Sequence, residues 1–253
     1  MKTIAIALQK GGTGKTVLSV SLAAALARQV PGRVLLVDCD PQGNSTEWTH
    51  PDELRAELAT VLLGKCALRD AVAEAEFSGL CVLPTAGLDG ELKVWDEGAG
   101  TRRPFAMWEI VKGAAAMGFK FCVLDLSPGF GAIERAALVS ADEVITPIMP
   151  DPFGISGLEI FTQNLLGLRK DLDTEKSAYR RIIIKAVDNR IKQHGEIVAG
   201  MRDKAGEFRL YVFPVDQVFR RAETEHKSIY DTGTAKKETL DELNRLATEA
   251  GEG

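Results

Sequence analysis

The sequence predicts a doubly wound α/β fold, a mostly parallel sheet with helices on both faces. Three observations carry that expectation. Short β-branched runs recur along the chain, segments with helical spacing lie between them, and the runs are apolar at successive positions, as strands covered on both faces must be. The runs fall at residues 3–8, 33–37, 80–84, 121–125, 143–148, 182–187 and 210–214. After the first, Leu18, Leu22, Ala25 and Leu26 share one helix face, and further on Ile155, Leu158, Phe161, Leu165 and Leu168 do the same. No Pro/Ser-rich linker or composition shift divides the chain, and no repeat of about 20–50 residues is visible, so residues 1–253 are read as a single domain. The least regular stretch, 87–101, is rich in glycine and acids and reads as a surface loop.

Composition narrows the class. With 253 residues, 45% hydrophobic and 26% charged, the chain reads as folded and globular, not disordered, collagen-like or coiled coil. Its apolar stretches fall short of the roughly 20 residues a membrane span needs. Met1-Lys2-Thr3 runs directly into the first strand without an apolar leader or cleavage site, so a cytoplasmic location without membrane attachment is expected. Cys39, Cys66, Cys81 and Cys122 form no CxxC pair and have no clustered histidine; they read as buried reduced thiols. The net charge of −5 opposes wholesale nucleic-acid binding, yet residues 179–237 carry 13 Lys and Arg against 8 Asp and Glu. Basic charge is concentrated late in the chain.

The chemistry begins directly after the first strand, at Gln9-Lys10-Gly11-Gly12-Thr13-Gly14-Lys15-Thr16, which leads into the first helix. Glycines let successive N–H groups point at phosphate oxygens, and the helix dipole adds positive potential at the same place. Lys15 can reach the β- and γ-phosphates and the Thr16 hydroxyl can ligate Mg2+. The standard pattern asks for glycine where Gln9 stands, so this is a deviant Walker A loop. Lys10 is a second lysine inside it, repelled by Lys15 unless an anion or carboxylate lies close.

The second strand ends in Asp38-Cys39-Asp40-Pro41-Gln42-Gly43-Asn44. Strand carboxyl ends form the ligand crevice of a parallel sheet, so Asp38 and Asp40 are expected to face the loop together, their side chains two residues apart. One would bind Mg2+ through water and the other would polarise the attacking water. The strand at 121–125 ends in Asp125, an apolar run closed by a carboxylate, as in a Walker B strand on the Mg2+ side.

These residues resemble the ParA/MinD family of deviant Walker A ATPases, and more closely its ParA/Soj branch of DNA-segregation proteins, over nearly the whole chain. Residues 10–16 look like the family's signature-lysine loop, 38–44 like its switch I, and 143–150 with Phe153 and Gly157 like the strand and helix after switch II. Asp188 and Arg190 fall on its Asp-x-Arg, and Pro214 on a strand-end proline near the adenine. The resemblance implies a P-loop NTPase fold with ATP and Mg2+ as cofactors. The nucleotide would be held by Gly11, Gly12, Thr13, Gly14, Lys15, Thr16, Val17, Asp188, Arg190 and Pro214, and the metal by Thr16, Asp38 and Asp125. Lys10 would reach across a nucleotide-sandwich dimer, and Asp40 would be the hydrolytic carboxylate. Three departures stand out: Val17 replaces a frequent second threonine, Ser127 replaces the first proline of Asp-x-Pro-Pro, and the likeness thins at 215–227. The chain starts at its first strand, so an N-terminal helix-turn-helix extension is not expected.

The function implied is a homodimerising ATPase that binds double-stranded DNA nonspecifically when ATP-bound, associates with the nucleoid, and is released when a ParB-like centromere-binding partner stimulates hydrolysis. The DNA candidates are Arg190, Lys192, Arg202, Lys204, Arg220, Arg221, Lys227, Lys236 and Lys237, each of which reads equally as a solvated helix-face charge. The alternative is a MinD-like or McdA-like ATPase that positions division machinery or a protein cargo. Membrane attachment would need a basic amphipathic end, whereas residues 238–253 hold five acids and one arginine. An electron-transfer relative would need an interfacial cysteine-ligated cluster, and Cys81 and Cys122 sit inside apolar strands.

Overall fold

The computed structural model describes residues 1–51, 54–77, 79–87 and 90–252. Among them eight strands form one sheet: β1 (Lys2–Ile6), β2 (Val34–Cys39), β3 (Ala73–Glu74), β4 (Leu80–Leu83), β5 (Phe121–Leu126), β6 (Glu143–Ile148), β7 (Ala178–Val187) and β8 (Arg209–Pro214). They lie in the order β3-β4-β2-β5-β1-β6-β7-β8, parallel throughout except for the β3–β4 pair. Alternate residues of each strand serve opposite cores, so both must be apolar. Ile4 and Ile6 of β1 pack with Leu22 and Leu26 of α1 (Lys15–Gln29), Ala222 of α10 (Val218–Thr224) and Leu243 and Leu246 of α11 (Lys237–Glu252). Ala5 faces the other side, where Met107 of α6 (Ala106–Ala116), Ile133 of α7 (Ala132–Ser140), Phe161 of α8 (Pro152–Asp171) and Val198 of α9 (Lys192–Lys204) close the second core. The short helices α2 (Asn44–Thr49), α3 (Leu58–Leu62), α4 (Leu68–Ala71) and α5 (Leu92–Glu97) fill the connections on the β2–β4 side.

The fold class matches the expectation, and the differences have physical reasons. β7 starts at Ala178, four residues before the predicted run, because Arg180 and Arg181 interrupt its apolar pattern. Arg181 is buried there through its ion pair with Glu143 and a hydrogen bond to the Tyr211 hydroxyl at 3.3 Å. The stretch expected as a surface loop, 87–101, contains α5 and a 3-10 turn at Ala99–Arg102, with Leu92 and Trp95 buried in the core; Leu88 and Asp89 lie outside the described residues. Cys39 and Cys122 are buried as expected, but Cys66 and Cys81 are partly exposed; all four are free thiols. No helix among the described residues is long and apolar enough to cross a membrane.

Candidate functional site

The turn between β1 and α1 lies at the carboxyl end of the central strands. Gly12 and Gly14 hold φ of 71° and 81°, the left-handed region that favours glycine, and Gly14 is the residue from which α1 starts. The first turn of α1 carries no acid, so its exposed N–H groups and dipole leave the turn electropositive. Lys15 is buried, and its Nζ donates to the Lys10 carbonyl at 3.0 Å. Burial lowers its pKa, while the charges of Asp125, Asp40 and Glu134 oppose the shift. Thr13 braces the loop from within, its hydroxyl donating to the same carbonyl at 3.4 Å.

Asp38 and Asp125 stand side by side in the β2–β5 register. Asp125 Oδ1 accepts from Ser19 Oγ at 2.7 Å and the Thr16 hydroxyl lies near enough to act on the carboxylate, whereas Oδ2 is buried without a partner among the described residues. Burial first and the Asp38 charge second push Asp125 up to about 7. An orphaned carboxylate oxygen beside the Thr16 hydroxyl fits a hard, oxygen-seeking cation such as Mg2+. Among the described residues no three His, Cys, Asp or Glu side chains cluster as a metal cage.

β2 ends at Cys39, so Asp40 lies just past the strand, and the charges of both Asp38 and Asp40 act on Asp125. Asp38 turns into α2: its Oδ2 accepts from the Thr46 backbone at 2.9 Å and the Thr46 hydroxyl at 2.6 Å, and its Oδ1 from the Asp40 backbone at 3.2 Å. Burial raises its pKa in spite of those bonds. Asp40 is the one whose charge reaches Lys15, and its Oδ1 accepts from the Gln42 backbone at 2.9 Å.

After β5, Ser127, which stands where the family pattern has a proline, ties the turn to α7 by hydrogen bonds. Its hydroxyl donates to Glu134 Oε1 at 2.5 Å and accepts from the Gly129 backbone at 3.0 Å, while Glu134 Oε2 accepts from the Gly131 backbone at 2.7 Å. Lys10 is answered within its own chain: Nζ lies 3.3 Å from Asp151 Oδ1 and 5.7 Å from the Phe153 ring centre. Its charge therefore does not by itself require a partner's phosphates.

Asp188 and Pro214 are neighbours, because Val187 pairs with Pro214 at the ends of β7 and β8. The Arg190 guanidinium grips Asp188 at 2.9 and 2.7 Å and holds its carboxyl below the usual range. Val17 lies at the same flank, lining a small cavity with Lys185 and Phe213. The nine basic candidates are all exposed but do not form one patch. Lys192, Arg202 and Lys204 ride on α9 over one core; Arg220, Arg221, Lys227, Lys236 and Lys237 surround α10 and the start of α11 over the other. Sequence reasoning missed Ser19, Thr46, Glu134, Asp151 and Lys185; a hydroxyl one helical turn after the loop is the signal that points to Ser19.

A family model described as an AAA domain matches residues 1–177 of this chain. The chromosome partitioning protein ParA of Myxococcus xanthus is 30% identical over 224 residues, covering 85% of this chain and 74% of its own. Apo McdA of Cyanothece matches with a TM-score of 0.83 at 22% identity over 99% of both chains, a likeness of fold alone. The septum site-determining protein MinD of Pyrococcus horikoshii, complexed with Mg-ADP, matches with a TM-score of 0.77 at 25% identity, over 98% of this chain and 95% of that one.

Proposed function

Since the chain belongs to the ParA/MinD family of P-loop ATPases, we propose that it hydrolyses ATP to ADP and phosphate, forms an ATP-dependent homodimer, binds double-stranded DNA without sequence preference, and segregates plasmid or chromosomal DNA with a ParB-like partner. The observation that carries the enzymatic part is the convergence of Lys15, the α1 N-terminus, Asp40 and the half-satisfied Asp125 on one loop. The loop amides and Lys15 hold the β- and γ-phosphates. Asp40 accepts a hydrogen bond from the attacking water and aims it at the γ-phosphorus; the bond to the β-phosphate oxygen breaks and ADP leaves. Thr16, Asp38 and Asp125 would hold Mg2+, which when bound would supply charge neutralisation at the phosphates. Hydrolysis of this kind, carried by positioning, is expected to be slow without a stimulating partner.

Nucleotide coupling to DNA is supported by direct contacts between α2 and the segment after α10. Trp48 Nε1 donates to the Lys227 carbonyl at 3.0 Å, His226 Nδ1 lies 2.9 Å from the Glu47 carbonyl, and the His50 and His226 rings are 5.0 Å apart. Since Asp38 anchors α2 through Thr46, a change at the phosphates reaches the basic residues beside α10. Lys15→Ala decides the enzymatic part: ATP turnover should fall by about 100-fold or more with the fold intact. Unchanged turnover would show that the phosphate loop is not the active site.

A further inference from the structure

Lys185 stands near the carboxyl end of β7, and its ammonium packs against Gly14 at the start of α1. A methyl group at Gly14 would collide with Lys185 Nζ and come within 3.0 Å of Cε. Gly14 is required by its φ, and the approach shows how closely the flexible end of Lys185 lies against the loop. The lysine flanks the loop on the side away from Asp40, Asp125 and Glu134, whose charges act on Lys15 and not on it. Among the described residues Lys185 makes no ion pair; the Phe219 ring centre lies 5.5 Å away and Glu223 acts on it only through space. Burial pulls its pKa down to about 8.

A partly desolvated ammonium beside the positive end of a 15-residue helix is unfavourable in the free protein. An anion entering the loop removes that conflict. Val17, which has no hydrogen-bonding side chain, lines the same cavity, so Lys185 brings to that flank of the loop a donor that residue 17 lacks. In the ATPase reading the two ends of a bound polyphosphate differ: Asp40 and Asp125 stand at the end where the bond breaks, and Asp188 and Pro214, neighbours at the ends of β7 and β8, at the nucleoside end that the family resemblance implies.

We propose that Lys185 is a phosphate-binding residue that closes the loop from the β7 side and contacts the nucleoside-proximal phosphates common to ATP and ADP. The inference rests on the ATPase reading above and adds to it a residue outside the loop and its carboxylates. A contact of this kind raises affinity for both nucleotides and leaves the bond-breaking step nearly alone.

The test is calorimetric binding of ATP and ADP, each with Mg2+, to the full chain, Lys185→Met, Lys185→Arg and Lys15→Ala, with melting temperatures measured without nucleotide. Lys185→Met should weaken both nucleotides equally, by roughly 10–100-fold, the usual worth of a charge-assisted hydrogen bond. Its melting temperature should stay level or rise, because methionine fills similar space without a buried charge. Lys185→Arg should keep most of the affinity. A lysine with only a structural role would give the opposite pair of results, a lower melting temperature with unchanged affinity, and that outcome overturns the inference. If Lys15→Ala loses nucleotide while Lys185→Met binds as the unaltered protein does, the ATPase reading stands and the role of Lys185 falls. If the unaltered protein binds neither nucleotide, both fall together.

Discussion

Asp125 carries the sharpest electrostatic conflict of the site, and that conflict gives it a pH signature. Burial and Asp38 raise its carboxyl to about 7, so the folded protein holds a proton that the unfolded chain releases near the ordinary value of 3.8. Between those two values the native state binds more protons than the unfolded one, and stability must fall as pH rises through the window. Mg2+ requires the ionised form, so Mg-nucleotide affinity should rise over the upper part of the same window. The expected outcome is a nucleotide-free melting temperature that declines from about pH 5 to about pH 8. Asp125→Asn should remove much of that decline and stabilise the free protein near pH 8 by on the order of 2 kcal/mol. Part of the slope should survive in the variant, since burial raises Asp38 as well. The rise in Mg-ATP affinity should vanish in it. A flat melting profile for the unaltered protein would mean that Asp125 stays ionised when folded.

At the scale of elements, α5 exists because of what it holds. Asp96 Oδ1 accepts from the Ile133 backbone at 2.7 Å, satisfying a first-turn amide of α7, and Trp95 is buried beneath it. Asp96→Ala should cost about 1 kcal/mol, or roughly 2–4 °C in a chain of this size, while Asp96→Asn keeps most of the cap. An unchanged melting temperature for Asp96→Ala would show that α5 does not secure α7. This helix also marks the limit of what the sequence discloses. The phosphate loop and the strand-end aspartates are legible because their meaning is local: a strand, a glycine turn and a helix follow one another within about twenty residues. Asp96 is understood only through a helix 37 residues later, and Arg181 only through Glu143 on the neighbouring strand. Lys185 gives no signal at all in the linear chain, where it reads as one polar residue closing an apolar strand. Asp40 acts on Lys15 at the loop, whereas the bonds of Asp38 to Thr46 are understood only through α2.

The whole molecule decides what the charge count could not. Placing β7 and β8 at one edge of the sheet sends α9 to one face and α10 with the start of α11 to the other, so the late basic segment becomes two separate groups. Several of its charges are already answered, Lys192 by Glu196 and both Arg221 and Lys227 by Glu225. Arg220, Lys236 and Lys237 are the exposed cations of the second group with no ion pair among the described residues, Lys236 Nζ donating to the Val215 carbonyl at 2.5 Å, and Asp216 joins their surroundings by accepting from the Lys236 backbone at 3.0 Å and the Thr239 hydroxyl at 2.7 Å. This second group is also the one wired to α2 through Trp48 and His226, so it is the face expected to follow the nucleotide. Pairing two copies doubles the phosphates it can neutralise and the counterions it releases. With Asp40→Ala used to block hydrolysis, ATP and not ADP should drive dimerisation, and the dimer should retain double-stranded DNA with a steep dependence on salt. Added to that background, Arg220→Glu with Lys237→Glu should weaken retention about tenfold or more for every sequence and flatten the salt slope by roughly two phosphates per copy. Arg202→Glu with Lys204→Glu on α9 should leave the slope nearly unchanged. Filter retention at two salt concentrations separates the cases: loss through the α9 pair would move the DNA face to the opposite side of the sheet, and retention indifferent to salt and nucleotide would remove DNA from the mechanism in favour of a protein cargo.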